Sequence, residues 1–285
     1  MILVTGAGGK SGLAVLRALA RIGVHARALV HRNDQIGAAQ QAGAAEAFSG
    51  DLLDKQNLVW VMLGVESIYH ICPNMHPQEL EIGLAVIAAA KAQRVGHLVY
   101  HSVLHPQTEA MPHHWLKLKV EDSLLACGLP FTILQPCAYM QNIQGYWSAI
   151  LKDGIYALPY SAGTRISMVD LEDVAEAAAR VLTETGHENA IYELAGPEPL
   201  SQSEAAETMA NALGRTVTVQ EIDRTAWKEN VAGKGMPAYT VETLLKMFHY
   251  YEDYGFCGNP RVLEWLLGRK PRTFKEYIHR VISGE

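Results

Sequence analysis

Apolar residues in the first two-thirds of the chain fall into short continuous runs, each followed by a stretch with helical spacing. The runs predict strands at 2–5, 25–30, 45–49, 67–71, 97–101 and 131–134. The stretches between them predict helices at 12–22, 34–42, 58–63, 77–93 and 115–127. In the last of these Leu116, Val120, Leu124 and Leu125 recur on one face, and Gly128 supplies the stop. Such alternation implies βαβ units, with helices covering both faces of a parallel sheet. After Pro136 the rhythm changes: a helix is predicted over 140–152, a turn-rich loop over 153–163 and a strand over 166–169. A helix over 174–185 and a last strand of the main sheet over 191–194 follow. From Gly196 onward, after Pro197 and Pro199, the pattern reads as helices without regular strands. The expected fold is therefore α/β, a doubly wound parallel Rossmann sheet with a small, mainly helical C-terminal lobe. Residues 1–136 with 166–195 form the main domain in this reading, and 137–165 with 196–285 form a small capping lobe over the sheet's carboxyl edge. No repeat and no low-complexity linker separates the two.

Composition narrows the function. With 285 residues, 49% hydrophobic and 19% charged, the chain has enough apolar mass for a sizeable core and too little charge for disorder. A net charge of −6 does not suit direct nucleic-acid binding, which needs a basic face. No apolar run reaches the roughly 18 residues of a membrane span. Ile2-Leu3-Val4 opens directly into a glycine-rich turn, leaving no room for the charged start of a signal peptide. Cys72, Cys127, Cys137 and Cys257 form no C-x-x-C pair and are expected to be buried thiols in a reducing cytosol, so a cytoplasmic location is expected.

The chemistry starts at residues 4–12, V-T-G-A-G-G-K-S-G. Gly6, Gly9 and Gly12 stand at three-residue spacing between the first strand and the first helix. That is where a chain must turn tightly, admit a pyrophosphate to its N–H groups and pack helix on sheet. Lys10 and Ser11 belong to the same cradle. A P-loop is excluded, because it needs glycine five residues before Gly9 and Val4 is there. The second strand leads into Val30-His31-Arg32-Asn33, with no carboxylate before Asp34. Arg32, flanked by Lys10, suits a 2′-phosphate, which favours NADP(H) over NAD(H). Asp51 and Leu52 close the third strand, where an adenine edge would lie, and Asp51 equally fits a cap for the following helix. Pro73-Asn74-Met75 follows the fourth strand at the edge where open sheets bind ligands. Asp170 and Asp173 read as helix-capping and dipole residues. His101, His105, His113 and His114 match no zinc spacing, so no metal is expected. The aromatic group Phe248, Tyr250, Tyr251, Tyr254 and Phe256 reads as core packing ahead of a pocket wall or partner surface.

Several stretches together resemble one family. They are T-G-A-G-G-K-S-G at 5–12, R-A-L-V-H-R at 27–32, G-D-L-L-D at 50–54, H-L-V-Y-H-S at 97–102, K-V-E-D-S-L-L at 119–125, F-T-I-L-Q-P at 131–136, D-L-E-D-V-A-E-A at 170–177 and Y-E-L-A-G-P-E at 192–198. Over nearly its whole length the chain resembles the NmrA-like group of atypical short-chain dehydrogenase/reductases. The resemblance implies one of two functions: NADPH-dependent reduction of a quinone-like, dye-like or other planar acceptor, or NADP(H) sensing by a regulator that does no chemistry. It leaves open a homodimer or a regulatory protein partner. The wider superfamily uses a serine after the fifth strand and a Tyr-x-x-x-Lys pair on the next helix. Ser102 and Lys117 match, but the tyrosine falls on His113, as in some NmrA-like members. That departure disfavours an epimerase and denies His113 an automatic claim to the tyrosine's role. Residues four apart on a helix share a face, so the resemblance implies Lys117 at the nicotinamide ribose and His113 or His114 toward the pocket. The segment 136–142 resembles the family's turn beside the nicotinamide, with Tyr139 implied to stack on a flat acceptor and Asn142 to touch the cofactor.

Overall fold

The computed structural model describes residues 1–284. Its first half runs β1 (Ile2–Thr5), α1 (Lys10–Arg21), β2 (Ala26–Val30), α2 (Ile36–Gln41), β3 (Glu46–Ser49), α3 (Lys55–Val61), β4 (Ser67–His70), α4 (Glu79–Ala92), β5 (His97–His101), α5 (Pro112–Leu125) and β6 (Phe131–Pro136). Then follow β7 (Ala138–Tyr139), α6 (Trp147–Asp153), β8 (Ile155–Leu158), β9 (Arg165–Val169), α7 (Leu171–Thr183) and β10 (Ala190–Leu194). The chain continues through β11 (Pro199–Ser201), α8 (Gln202–Leu213), β12 (Thr218–Glu221), α9 (Arg224–Gly233), α10 (Ala238–Tyr254), α11 (Arg261–Leu267) and α12 (Phe274–Ser283).

Seven strands form the central sheet in the order β10-β6-β5-β4-β1-β2-β3. The pairs from β3 across to β6 are parallel. Strand order reverses between β1 and β4, and a ligand crevice opens at the carboxyl ends of strands where such a reversal occurs. Both faces of β1, β2, β4, β5 and β6 are buried, which is why they read as continuous apolar runs rather than alternating ones. Leu3, Leu29, Ile68, Leu98 and Ile133 share one cluster with Leu58 and Val61 of α3, Val86 of α4, and Val120 and Leu124 of α5. The neighbouring strand residues Ile2, Val4 and Ala28 point to the other face, and α1 packs against β1 and β2.

The chain divides into two compact units. The first comprises Met1–Gln107, His113–Gln135 and Val174–Tyr192; the second comprises Thr108–Pro112, Pro136–Asp173 and the described residues from Glu193. The second unit holds two small sheets, β11-β9-β7 and β12-β8. Its core gathers Met140, Ile150, Tyr156, Leu158, Met209, Phe274 and Ile278.

Several expectations need correction in this unit. The stretch 153–163 is not all loop, since β8 lies inside it and pairs with β12. The stretch after Gly196 is not free of strands, because β11 and β12 are there. The single helix over 140–152 is a 3-10 turn, Met140–Gly145, followed by the short α6. The aspartates do more than cap. Asp170 does accept the Glu172 N–H at 3.0 Å, but it also accepts Gln141 Nε2 at 2.8 Å and the Arg280 guanidinium. Asp173 takes Arg269 Nη2 at 2.8 Å, the Arg272 N–H at 2.7 Å and the Arg272 guanidinium. Both carboxylates are fully buried, and burial of such a group is costly without partners of this kind. Of the thiols, Cys72, Cys127 and Cys137 are buried while Cys257 is exposed, against expectation. Phe248, Tyr251 and Phe256 do pack in the interior, but Tyr254 is 74% exposed.

Candidate functional site

Gly6, Gly9 and Gly12, three of the four glycines of the first loop, differ in what a side chain would meet. Gly6 has φ +59, a left-handed backbone, and an added Cβ would lie 2.6 Å from the Ile71 carbonyl oxygen on β4's carboxyl end. At Gly12 a Cβ would lie 2.5 Å from Ala7 Cα and 2.6 Å from Gly6 O, so the close seating of α1 on the loop depends on its absence. Gly9 is different. It is exposed, and a Cβ there would meet nothing nearer than Gly6 O at 3.5 Å. The protein itself leaves room at Gly9, and the room faces outward at the start of α1. Gly9 caps α1 with no side-chain hydrogen bond, so the N–H groups of Lys10, Ser11 and Gly12 open the helix without a capping side chain. An uncapped helix start behind a glycine that a side chain would obstruct fits a dinucleotide pyrophosphate.

The next part of the site follows β2. Arg32 Nε and Nη2 bond Asp34 Oδ1 and Oδ2 at 3.0 and 3.2 Å, both side chains being exposed. Arg32 therefore does not stand alone, contrary to what the absence of an earlier carboxylate implies; Asp34 folds back onto it. Asn33 accepts the Ser49 hydroxyl, and Gln35 Oε1 accepts the Arg32 N–H at 3.0 Å. Gln35 also lies against Gly8, whose Cβ would come within 2.6 Å of its amide carbon. Asp51 does not cap α3. Its Oδ1 takes the Leu53 N–H at 2.9 Å, while Asp54 is the residue that accepts the Gln56 and Asn57 N–H groups. Leu52 is buried in the sheet's core cluster. Pro73 and Asn74 are exposed after β4, and Met75 beyond them takes φ +50.

Beneath the carboxyl ends of β1, β4 and β5 runs a buried polar network. Thr5 Oγ1 shares a 2.8 Å bond with His70 Nδ1, and the Thr5 hydroxyl oxygen accepts the Ile71 N–H at 3.1 Å, tying β1 to β4 where the strand order reverses. The His70 ring stacks on Tyr100, centroids 5.7 Å apart. The Tyr100 hydroxyl donates to Glu79 Oε1 at 2.8 Å, and Lys117 Nζ donates to the same oxygen at 2.9 Å and to His101 O at 3.4 Å. Lys117 is thus a buried lysine held by a buried carboxylate. Burial pushes the Glu79 carboxyl up, but the Lys117 charge and the two hydrogen bonds outweigh it and hold the group below the usual carboxylate range. Ser102 donates its hydroxyl proton to Glu121, whose Oε1 and Oε2 also accept Gln135 Nε2 at 3.0 Å. Burial nonetheless raises the Glu121 pKa. His113, Lys117 and Glu121 repeat every four residues and share the inward face of α5. His113 is pushed down to about 2, chiefly by burial and then by the neighbouring His114 and Lys117. His114, His70 and His101 are likewise lowered by burial, to about 4, 4 and 3. Buried His70 Nε2 and His113 Nδ1 make no hydrogen bond.

The remaining expected site residues lie in the second unit. Tyr139 is half-buried in β7, opposite Val169 of β9, and Asn142 is exposed in the following 3-10 turn. Sequence reasoning missed Glu79, Tyr100, Glu121 and Gln135. Glu79 reads as an ordinary acidic first-turn residue. Only Glu121 left a trace, its four-residue step beyond Lys117. Among the described residues no group of three or more His, Cys, Asp or Glu could hold a metal, and no helix is long and apolar enough to cross a membrane.

The profile of the NmrA-like family matches residues 1–279. The chain is 30% identical over 282 residues to an NAD(P)H azoreductase of Xenophilus azovorans, covering 97% of this chain and 96% of that one. It is 27% identical over 285 residues to quinone oxidoreductase 2 of Escherichia coli K12, with 99% of each covered. The crystal structure of the NADPH-dependent quinone oxidoreductase of Escherichia coli in complex with NADPH superposes with a TM-score of 0.86 at 27% identity, over 99% of this chain and 100% of that one.

Proposed function

The chain belongs to the NmrA-like family, and from that premise we propose that it is an NADP(H)-dependent reductase whose acceptor is a planar, conjugated molecule of the quinone type. The first-loop N–H groups at Lys10, Ser11 and Gly12 take the pyrophosphate, and Arg32 with Lys10 takes the 2′-phosphate. Lys117 has two of its three donors on Glu79 and His101, and in this reading the remaining one serves the nicotinamide ribose. When bound, NADPH supplies the hydride. Tyr139 and Asn142 are assigned to the acceptor and to the nicotinamide end, with Pro73 at the crevice edge.

One observation carries the choice of acceptor: α5 has a buried histidine, His113, where the resemblance puts the superfamily's tyrosine acid. Reducing an isolated carbonyl to an alcohol needs a proton delivered to its oxygen as the bond forms. His113 is neutral at any physiological pH, and the Ser102 hydroxyl proton is committed to Glu121. A quinone does not need that proton, because the hydroquinone anion is stabilised by conjugation and takes its proton from water. NADPH oxidation by the purified protein against quinones, azo dyes and simple ketones tests the proposal, with an NADPH binding titration in parallel. We expect turnover of quinones and none of simple ketones. Ketone turnover with inert quinones would overturn the assignment, and tight NADPH binding without turnover of any acceptor would make the chain a dinucleotide sensor.

A further inference from the structure

Lys117 meets a carboxylate that is sealed deeper in the fold than the lysine itself. The Glu79 side chain is 3% exposed, against 11% for Lys117. Glu79 is placed from two sides independently of the lysine. It opens α4, where the unpaired N–H groups of a helix start favour negative charge. The hydroxyl of Tyr100, a fully buried side chain of the central strand β5, donates to Glu79 Oε1 at 2.8 Å. Lys117 has no such constraint of its own, since its four-carbon stem is flexible and its ammonium is a point charge. Three groups surround that ammonium. Glu79 Oε1 accepts from Nζ at 2.9 Å, His101 O accepts at 3.4 Å, and Nζ stands over the Tyr100 ring, 5.4 Å from its centroid. Of the three only the carboxylate is charged, and its short, charge-assisted bond is the strongest hold.

We propose that Glu79 is a positioning residue for the nicotinamide half of the cofactor. It sets where the Lys117 ammonium stands, and through it how tightly the nicotinamide riboside is held, without touching the cofactor. The carboxylate offsets the burial of the ammonium and fixes its direction. Without the carboxylate, the ammonium has only a carbonyl and a ring around it. It then swings toward water or stays without a counter-charge, and either way the ribose loses an oriented donor. The adenosine half rests on Arg32 and the first-loop N–H groups in the same reading, so its binding is indifferent to Glu79.

Glu79 can act this way only if Lys117 serves the nicotinamide ribose, the assignment made above, and direct binding separates the two. NADPH is titrated calorimetrically into the wild-type chain, Glu79→Gln, Lys117→Met and the double variant. A second titration uses 2′-phosphoadenosine 5′-diphosphate, which lacks the nicotinamide riboside. Glu79→Gln is expected to weaken NADPH at least fivefold and to leave the fragment within twofold. Lys117→Met is expected to show the same pattern. The double variant is expected to bind NADPH no more weakly than Lys117→Met, because Glu79 then has nothing to act through. Should Glu79→Gln fail to fold, Glu79→Asp keeps the charge, draws the carboxylate back by one methylene, and takes its place in the comparison. A smaller loss of NADPH affinity in the Glu79 variant, an equal loss of both ligands, or losses that add in the double variant overturn the inference and leave the Lys117 assignment intact. If Lys117→Met binds NADPH as the wild type does, or the wild type binds none, that assignment falls and takes the inference with it.

Discussion

His113 stands where the resemblance puts the wider superfamily's tyrosine acid, and burial makes it a weaker proton donor there. A histidine donates usefully when its pKa lies near the working pH, and burial beside His114 and Lys117 lowers this one to about 2. We therefore expect His113→Ala to keep quinone reduction within about tenfold of wild type, roughly 1.4 kcal/mol in the barrier. Steady-state rates with saturating NADPH check this. A loss of two to four decades, roughly, with unchanged cofactor affinity would make His113 the proton donor after all. Lys117 differs in kind, since it is paired with Glu79 in the interior, where removing one partner strands the other.

At the scale of elements, the glycine loop separates two roles that sequence spacing alone merges. Gly12 serves the packing of α1, because a methyl group there meets backbone atoms of Gly6 and Ala7 that cannot swing away. Gly9 has no such packing role, because the protein leaves its outer side open. Gly12→Ala is expected to lower stability by about 1–3 kcal/mol, the cost of overpacking. Gly9→Val is expected to keep the wild-type melting temperature while losing dinucleotide binding. Denaturant melts and calorimetry on both variants check the pair, and a Gly9→Val protein that binds NADPH normally would show that the loop is not the cradle. The glycine spacing was legible because phosphate approach and helix seating dictate it locally. The βαβ order was legible because strands buried on both faces leave unbroken apolar runs. Other parts leave no such mark. β12 reads Thr-Val-Gln-Glu and β11 Pro-Leu-Ser, each with too few apolar positions to announce a strand. The Glu79 partner of Lys117 lies 38 residues away and meets it only through the packing of α4 and α5 around β5. Asp34 was visible, yet its turn back onto Arg32 depends on the 3-10 geometry of Asn33–Gln35.

For the molecule as a whole, four buried histidines of the first unit couple folding to pH. His70, His101, His113 and His114 have folded pKa values of about 4, 3, 2 and 4, against 6.5 for a solvated histidine. Above pH 6.5 neither folded nor unfolded chain protonates them, and their neutral burial costs no proton linkage. Below it the unfolded chain takes up protons that the folded one refuses, so stability is lost as pH falls from 6.5 toward 4. Each group steepens the decline in that window. Glu121, raised by burial, acts in the opposite sense but is one group against four. Urea melts at pH 7.5, 6.0 and 5.0 should show a steep decline with proton uptake on unfolding. A flat profile would mean that these imidazoles are not held neutral.

The ion pairs of the second unit bear on the order in which a ribosome delivers the chain. All three segments of the first unit have been synthesised once Tyr192 emerges. Asp173 meets its arginine partner Arg269 only 96 residues later in sequence, and Asp170 waits 110 residues for Arg280. At translation speeds of roughly 5–20 residues per second, that is a delay of about 5 to 20 seconds. Throughout it the two aspartates cannot be buried without leaving uncompensated charge. The start of the second unit must stay hydrated until its last helix is made, so a nascent chain is most open to proteases and most in need of chaperones after its first unit can already close.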